Sequence, residues 1–550
     1  MGVCRHLWGL AVFLWGCAAQ PGVVVDIGAW PDGATALQVS GTLDGIASDA
    51  GLSFPSGTTR FVVYLPAGRS GRLELAVAAI DDRECVHAQT QVQVDLGGGL
   101  RAVSELDATL AQLIPPQCPA PRLREVSPAV GPTVGDTVLS LSGQHFLSGV
   151  TVTIDGIPAP SSQWLSPTQI RATLPAHPGA FGLVPIVVRN PDGQEARATD
   201  LFSYYASQLN FSRMAPFPTD KLPGAVIAVD MNGDNALDLV TANGQSSVSI
   251  LLGDGRGSFD PPKQHTTMAN SAALAAGDFN HDKKTDLAVV TYGSNSVNIL
   301  LGDGQGGILA SSDLPGIGNP GKLVASDVNQ DGSLDLIVTS GFTHSVNVLL
   351  GNSKGGFGTA ATFPTGLSPV AVAVADLNRD QFPDIVVANT GSGGISVLLG
   401  DGRGSFGTAT NYSTGNFPIG IGIGDLNGDS KPDLAIAHLG EESVSVLLGD
   451  ENGSFTLKDK FGTGRVPYAL LLSDVDGDRN LDLAIAANGE NSVHILLGDG
   501  AGGFGTASIL PTGTDPRAIA CADLNHDGRL DIATANYSGD NVSVLLNQSQ

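Results

Sequence analysis

The segment DVNQDGSLD, residues 327–335, carries oxygen-bearing side chains at its first, third, fifth and ninth positions. The same pattern, D-x-[N/D]-x-D-x-x-x-D, occurs in six further copies. These copies begin at Asp230, Asp278, Asp376, Asp425, Asp474 and Asp523. The first interval is 48 residues and every later one is 49. A fixed period of this length indicates stacked or radially arranged copies of one small structural unit.

The chemistry of this pattern predicts a site for a hard cation. In residues 327–335 the expected ligands are Asp327, Asn329, Asp331 and Asp335, joined by the backbone carbonyl of Ser333, as in the first half of an EF-hand loop. Because no ligand position holds His or Cys, zinc and copper are disfavoured. We expect Ca²⁺, up to seven ions per chain. Mg²⁺ is an alternative, but it prefers stricter octahedral geometry and retains more water.

The other six copies supply the same four ligand positions. They are Asp230, Asn232, Asp234 and Asp238; Asp278, Asn280, Asp282 and Asp286; Asp376, Asn378, Asp380 and Asp384; Asp425, Asn427, Asp429 and Asp433; Asp474, Asp476, Asp478 and Asp482; and Asp523, Asn525, Asp527 and Asp531. The alternative interpretation is a set of acidic turns without metal. The three carboxylates within each loop repel one another, and a bound cation would neutralise that repulsion.

The sixth position of such a loop often needs a left-handed backbone, which glycine tolerates. Only Gly332 and Gly528 supply glycine there, and Asn235 is an acceptable substitute. The other four copies carry Lys283, Gln381, Ser430 and Arg479. We therefore expect the metal affinity to differ between copies.

Each repeat predicts four short strands. In the fifth repeat, residues 418–424, 432–438 and 444–448 form short runs that are mainly apolar, and Phe455 begins a fourth strand. Four strands in a repeat of this length is the periodicity of a β-propeller blade. The seven repeats therefore predict a seven-bladed β-propeller with a metal loop in each blade.

The two ends of the repeat array complement each other. Phe211 lies 19 residues before Asp230, and the same step separates Phe259 from Asp278. Residues 209–218 therefore predict a fourth strand whose own blade is absent, while the last repeat stops in its third strand. We expect this strand to complete the last blade and close the ring, which protects the sheet edges.

Three Phe-Gly-Thr-Ala segments, beginning at Phe357, Phe406 and Phe504, accompany the acidic loops and a recurring SVSVLLG-like strand. On these residues, the region 209–547 resembles FG-GAP or VCBS repeats, as in integrin α-subunit propellers and many bacterial surface proteins. The resemblance implies metal loops on one face, where they stabilise the blades. It also implies that ligands meet the opposite face, through loops such as residues 391–394 and 440–442.

Two β-sandwich domains are expected before the propeller. Residues 119–205 contain short alternating strands separated by turn residues, and their pattern resembles the immunoglobulin-like IPT/TIG domains of cell-surface proteins. In residues 20–118, the segments 35–43, 60–65, 72–80 and 86–94 read as strands of another immunoglobulin-like sandwich. Residues 108–113 fit either a short helix or a last strand. The predicted fold class is therefore all-β, a seven-bladed β-propeller preceded by two immunoglobulin-like β-sandwich domains.

Residues 1–19 predict a signal peptide, because the apolar run 7–15 follows basic residues and is too short to span a membrane. Residues 14–17 resemble a bacterial lipobox, which would leave Cys17 lipidated. Ordinary cleavage after Ala19 is the alternative. We expect export, as a cell-surface or outer-membrane lipoprotein or as a secreted protein, with membrane contact only through that N-terminal lipid.

Two further cysteines, Cys85 and Cys118, could form a disulfide in an oxidising compartment. Cys521 lies in an apolar strand, where a buried, inert thiol is expected.

The net charge is −26, from 28 basic and 54 acidic residues. The loops contribute 22 of the acidic groups, three in each copy and Asp476 in addition. The acidity is therefore mostly a signature of the metal sites. An acidic chain without a basic patch repels phosphate, which excludes nucleic acid as an expected partner.

No catalytic constellation is evident in the predicted innermost strands, which are mostly small and apolar. These strands are residues 225–229, 272–277, 322–326, 370–375, 419–424, 468–473 and 517–522. The sequence has no G-x-S-x-G elbow, H-E-x-x-H motif or Walker loop. Lys322, Tyr468 and Arg517 could meet near the axis, but dispersed charges are the commoner explanation.

We therefore expect a calcium-binding surface or secreted protein, not an enzyme, that uses propeller loops to contact an extracellular glycan or protein ligand. One alternative is a carbohydrate-active lyase or hydrolase on a propeller scaffold, because related propellers accompany such enzymes. Another is a purely structural envelope component.

Overall fold

A computed structural model of the chain describes residues 119–549, apart from residues 178, 179, 181, 207 and 269, and gives only the backbone of strands upstream of them. The chain divides into two compact units. The first comprises Met1–Gly131, Gly135–His177 and Leu183–Phe202, and the second Pro132–Val134, Pro178–Gly182 and Ser203–Gln550. Across the described residues, no helix is long and apolar enough to cross a membrane. The only helical segments found there are 3₁₀ turns at Tyr292–Ser294, Asn488–Glu490 and Tyr537–Gly539.

The upstream strands form a five-stranded and a six-stranded sheet. The first contains Arg5–Leu7, Leu10–Phe13, Arg60–Tyr64, Gly22–Ile27 and Ser104–Ala108, and the second Ala111–Gln117, Val86–Asp95, Arg72–Ile80, Ala36–Leu43, Ile46–Ala47 and Leu52–Pro55. Of the segment 108–113, expected to be a short helix or a last strand, residues 111–113 lie in the strand Ala111–Gln117. Cys17, Cys85 and Cys118, the predicted lipidation and disulfide positions, lie outside the described residues, as does most of the predicted signal peptide.

The segment from residue 122 to residue 205 contains two four-stranded sheets and a small three-stranded one. Their strands are Arg122–Ser127, Val138–Gln144, Gln169–Thr173 and Ser162–Ser166; Ile157–Pro158, Thr151–Ile154, Ile186–Arg189 and Glu195–Ala198; and Val130–Pro132, Ser203–Tyr205 and Gly182–Leu183. Alternate residues of these strands are buried, including Leu139, Leu141, Ile186 and Val188, which are fully buried. This alternation is the pattern expected of a sheet with one buried face.

Seven antiparallel sheets follow one another along the second unit, six of four strands and one of five. The first six are Pro223–Val229, Asp238–Asn243, Ser247–Leu251 and Lys263–Thr266; Ser271–Gly277, Asp286–Thr291, Ser296–Gly302 and Ile308–Pro315; Pro320–Ser326, Asp335–Ser340, Ser345–Leu349 and Ala361–Pro364; Pro369–Ala375, Asp384–Asn389, Gly394–Leu398 and Thr410–Ser413; Pro418–Gly424, Asp433–His438, Ser443–Gly449 and Phe455–Gly462; and Pro467–Ser473, Asp482–Ala487, Ser492–Leu496 and Ser508–Pro511. The second strand of every sheet is buried along its whole length, which explains the mainly apolar sequence that follows its opening Asp.

The seventh sheet combines the two ends of the array. Its first three strands are Pro516–Ala522, Asp531–Asn536 and Asn541–Asn547, and its outer strand is supplied by Phe211–Arg213 and Phe217–Pro218. Phe211 pairs with Asn547 in antiparallel register. This is the closure that the 19-residue register predicts, and it leaves the last sheet with no missing strand.

The sheets pack against one another in a cycle. One hydrophobic cluster joins Val226 and Leu239 of the first sheet to Ala518, Ala533 and Val544 of the seventh. Similar clusters of buried residues join other neighbouring sheets. The first strands of all seven sheets line one axial cavity of about 200 Å³. The arrangement is an all-β, β-propeller-like fold.

Candidate functional site

The acidic loops connect the first and second strands of each sheet. Their first Asp follows the last residue of the first strand, as Asp230 follows Val229, and their ninth Asp opens the second strand, as Asp238 does. Between them, the second loop position buries an apolar side chain in the sheet packing, for example Met231 or Phe279. The structure therefore gathers the four predicted ligands of each copy into one short loop.

Two positions in every loop have left-handed backbone conformation. At the sixth position φ is positive at Asn235, Lys283, Gly332, Gln381, Ser430, Arg479 and Gly528. At the fourth position it is also positive, at Gly233, His281, Gln330, Arg379, Gly428, Gly477 and His526. The sequence prediction covered the sixth position and missed the fourth. Because left-handed geometry costs a non-glycine residue about 1 kcal/mol, the second and fourth loops, with no glycine at either position, carry the most backbone strain.

Backbone N–H groups hold the loop carboxylates in place. Oδ2 of each first-position Asp accepts a hydrogen bond of 2.7–2.9 Å from the N–H of the sixth residue. Oδ1 of each fifth-position Asp accepts one of 2.7–3.0 Å from the N–H of the seventh residue. These bonds explain the tight turn, and each oxygen retains a second lone pair that could bind a cation.

The ninth-position Asp has a structural role that the sequence analysis did not identify. Its side chain is fully buried in all seven loops. In the fifth loop, Asp433 accepts hydrogen bonds from the N–H groups of Leu426 at 2.9 Å and Gly449 at 2.8 Å. The same pair of bonds recurs in the other six loops. This carboxylate therefore connects the loop, the second strand and the region where the third strand ends.

The sixth loop brings three carboxylates unusually close together. Asp474, Asp476 and Asp482 each place one oxygen within 4.8 Å of the other two. Burial, together with the neighbouring carboxylates of Asp482, Asp478 and Asp474, raises the pKa of Asp476 to about 8. Burial raises the pKa of Asp482 to about 7. Within the described part of the chain, no Lys, Arg or His forms an ion pair with these three groups.

The segment that enters the ring covers the sixth loop. The N–H of Ala206 donates a 2.7 Å hydrogen bond to the carbonyl of Asp476. Burial and the carboxylates of Asp478 and Asp476 raise the pKa of Tyr205, which lies nearby. Only 4% of Asp476 is exposed. The other six loops have Asn at the third position. The sixth loop therefore carries one more carboxylate than they do, and the segment around Ala206 packs over it.

The residues of the sixth loop fit a divalent cation. Asp474, Asp476 and Asp482 supply oxygen donors only, which suits Ca²⁺ or Mg²⁺ better than a transition metal. The raised pKa values of Asp476 and Asp482 mean that burial and the neighbouring carboxylates disfavour the ionised forms, and no ion pair among the described residues offsets this. A bound cation would supply that compensation and favour the ionised carboxylates.

The remaining candidate residues are placed as follows. Lys322, Tyr468 and Arg517 line one cavity at the axis. The expectation that these charges are dispersed is therefore wrong, because the first strands of the third, sixth and seventh sheets converge there. Cys521 is partly buried in a first strand, and desolvation raises the pKa of its thiol to about 12, which disfavours the nucleophilic thiolate.

Comparison with protein families agrees with this architecture. The FG-GAP-like repeat matches six overlapping segments, residues 230–289, 278–338, 327–387, 376–436, 425–485 and 474–534. The IPT/TIG domain matches residues 121–204. No curated protein matches the chain in sequence.

Several solved structures are similar over most of their own length. The crystal structure of BBS1N in complex with ARL6DN is 14% identical, with a TM-score of 0.46 over 61% of this chain and 96% of that one. An auxiliary nutrient binding protein from Bacteroides ovatus is 13% identical, with a TM-score of 0.38 over 78% and 98%. The periplasmic gluconolactonase PpgL of Pseudomonas aeruginosa is 14% identical, with a TM-score of 0.42 over 61% and 93%. At these scores the likeness carries no functional argument.

The repeat matches together span residues 230–534, more than half of the chain. The chain belongs to the family of FG-GAP-like repeat proteins.

Proposed function

We propose that this protein is an exported, calcium-binding adhesion or ligand-binding protein of the cell surface or the extracellular space. In this proposal the seven sheets are the blades of a seven-bladed β-propeller, and two immunoglobulin-like sandwiches precede it. The extracellular ligand is a glycan or a protein, and it meets the face opposite the acidic loops.

The observation that carries the binding role is a set of large apolar side chains at that opposite face. Tyr292, Phe342, Leu367 and Phe417 are 47%, 70%, 52% and 55% exposed. Each lies in the connection after a second strand or just before a first strand, at the end of its sheet remote from the acidic loop. Exposed apolar side chains gathered at one face are typical of an interaction surface.

Calcium acts indirectly in this proposal. The ninth-position carboxylates connect each loop to the second strand and to the region where the third strand ends, as Asp433 does. A cation held by the same loop would fix that junction and hence the sheet that presents the opposite face. Metal binding and the stability of the fold are then coupled.

The second candidate is a carbohydrate-active lyase or hydrolase. It is favoured by one observation, the convergence of Lys322, Tyr468 and Arg517 in a single cavity. Cations and phenols together could hold and activate an acidic sugar. We rank this function below binding, because Arg517 is already paired with Asp515 through two hydrogen bonds.

The experiment is a glycan and matrix-protein array probed with the protein in calcium and again in EDTA. We expect hits that require calcium and that weaken in the Phe342→Ser variant. Leu309→Ser is the matched control, because Leu309 is also 70% exposed but lies on the outer strand of the second sheet. Hits that persist in EDTA would contradict the calcium role, and a blank array would favour a structural envelope component. Cleavage of a bound glycan would favour the enzyme.

A further inference from the structure

A cavity of about 500 Å³ opens at the axis, on the face opposite the acidic loops. Its lining includes Tyr292, Lys322, Tyr468, Arg517 and Tyr537, contributed by the second, third, sixth and seventh sheets. Two of these tyrosines, Tyr292 and Tyr537, belong to the 3₁₀ turns that follow second strands and not to the innermost first strands. The volume suits a small-molecule ligand.

The ionisable side chains of the cavity lining are basic residues and tyrosines, although the chain carries a net charge of −26. No Asp or Glu is among the residues that line it, nor among those that line the narrower axial cavity next to it. Lys322 lines both cavities. Burial lowers the pKa of the Lys322 ammonium, with no carboxylate acting against that shift. Among the described residues, its Nζ has no ion-pair or hydrogen-bond partner.

Arg517 is held rigidly beside this lysine. Its guanidinium carbon lies 3.5 Å from the ring centroid of Tyr537 and 5.3 Å from that of Tyr468. Nε and Nη2 donate to the two carboxylate oxygens of Asp515 at 3.0 and 3.2 Å. Ser538 Oγ donates to the same carboxylate at 2.7 Å. Nη1 has no hydrogen-bond partner among the described residues, so both of its N–H bonds remain available on an immobilised guanidinium.

We propose that this axial cavity binds the carboxylate of a small ring-shaped ligand, with Lys322 as its ion-pair partner, Arg517 Nη1 as a hydrogen-bond donor and the tyrosine rings against the body of the ligand. This inference deepens the proposed binding function by naming a ligand class, and it rests on that function only for the face at which ligands enter.

The physical reason to expect a carboxylate in this cavity is the Lys322 ammonium, which has no ion-pair partner among the described residues. The Lys322 side chain is partly buried in the cavity wall, where desolvation disfavours its ammonium form. An incoming carboxylate would supply the opposite charge through a charge-assisted hydrogen bond. Tyrosine offers both an apolar face and a hydroxyl group, which suits a ring that carries polar substituents. Sugar acids and aromatic acids share this chemistry, and the test below separates them.

The test is titration calorimetry of the purified protein with galacturonate, glucuronate and benzoate, each compared with its neutral analogue, galactose, glucose or benzyl alcohol. We expect at least one acid to bind and its neutral analogue not to bind. Binding of a uronate but not benzoate identifies a sugar acid, and the reverse identifies an aromatic acid. If none of the three acids binds, the proposal is overturned.

Variants then locate the site. Lys322→Met should weaken acid binding by about tenfold or more, since the ion pair with the ligand carboxylate is lost. The same variant should melt no lower than the parent, because it removes an ammonium whose charged form is disfavoured by desolvation and is paired with no carboxylate among the described residues. Lys354→Met makes the same chemical change at an exposed lysine outside the cavity and should leave the affinity unchanged. Acid binding that is unaffected by Lys322→Met would overturn the proposal.

A second variant tests the same site in case Lys322→Met impairs folding. Tyr292 is 47% exposed, so Tyr292→Ala should preserve the fold and still weaken binding of the acid. An unchanged affinity in this variant and in Lys322→Met would place the acid elsewhere and contradict the inference. Calcium-dependent array hits without any acid binding would overturn this inference alone and leave the proposed function standing.

Discussion

Replacement of Asp476 by Asn should stabilise the metal-free protein. Asp476 is 4% exposed and lies with Asp474 and Asp482 in one carboxylate group. Burial and these neighbours raise its pKa from an ordinary value of 3.8 to about 8. Asn is the residue that the other six loops carry at this position, for example Asn427. The variant therefore keeps the loop pattern and removes one buried charge.

The magnitude follows from the linkage between protonation and folding. One pKa unit corresponds to about 1.4 kcal/mol. A rise to about 8 therefore sets an upper limit on the order of 5 kcal/mol for the destabilisation by Asp476 at pH 8. Relaxation of the loop and burial of the Asn amide reduce this figure, so we expect a gain of about 2 kcal/mol, or roughly 4–8 °C in Tm.

The pH dependence has a definite sign. Between about pH 4 and pH 8 the folded protein binds more protons at Asp476 than the unfolded chain does, because the folded pKa is the higher one. The stability of the metal-free parent therefore rises as the pH falls through this window. The Asp476→Asn variant lacks this titration, so its advantage should shrink from pH 8 towards pH 5.

The assay is thermal unfolding in EDTA at pH 8 and pH 5.5, and in excess calcium at pH 8. We expect the variant to melt higher than the parent in EDTA at pH 8 and to gain less from calcium, because it has lost one carboxylate ligand. The converse change, Asn427→Asp, is the matched comparison and should destabilise the metal-free protein. Equal melting of parent and Asp476→Asn in EDTA at pH 8 would refute the reasoning.

Two further substitutions test the loop geometry by denaturant unfolding in EDTA. Asp433→Ala leaves two buried N–H groups without acceptors and should cost about 3 kcal/mol, whereas Asp429→Ala, at an exposed position, should cost about 1 kcal/mol or less. Equal costs would contradict the structural role of the ninth-position Asp. Gln381→Gly should stabilise by about 0.5–1 kcal/mol, since φ at Gln381 is 72°. A loss of stability would show that this left-handed position is not strained.

The sequence predicted the repeating elements well, because strict periodicity fixes their register. The predicted strand 418–424 coincides with Pro418–Gly424, and the outer strand at Phe211–Arg213 pairs with the end of the array. The other first strands begin one or two residues earlier than predicted, mostly at a proline such as Pro223 or Pro516. Proline is tolerated as the first residue of a strand, where its missing N–H is not needed for pairing.

The contacts between repeats were harder to predict. Tyr292, Lys322 and Arg517 lie far apart in the sequence, and only the closed cycle of sheets brings them to one cavity. The left-handed fourth loop position was missed because residues such as Arg379 give no sign of it. The burial of Asp476 depends on the segment around Ala206, which belongs to no repeat. These features depend on tertiary packing, which local patterns do not encode.

The central claim is that the acidic loops hold calcium. Equilibrium dialysis of the purified protein against ⁴⁵Ca²⁺, with Mg²⁺ as competitor, tests it most directly. We predict several bound ions per chain, up to the seven loops, with only weak competition by Mg²⁺ and a higher Tm in the calcium-bound protein. No bound calcium at millimolar concentration, together with an unchanged Tm in EDTA, would show that the loops are acidic turns without metal.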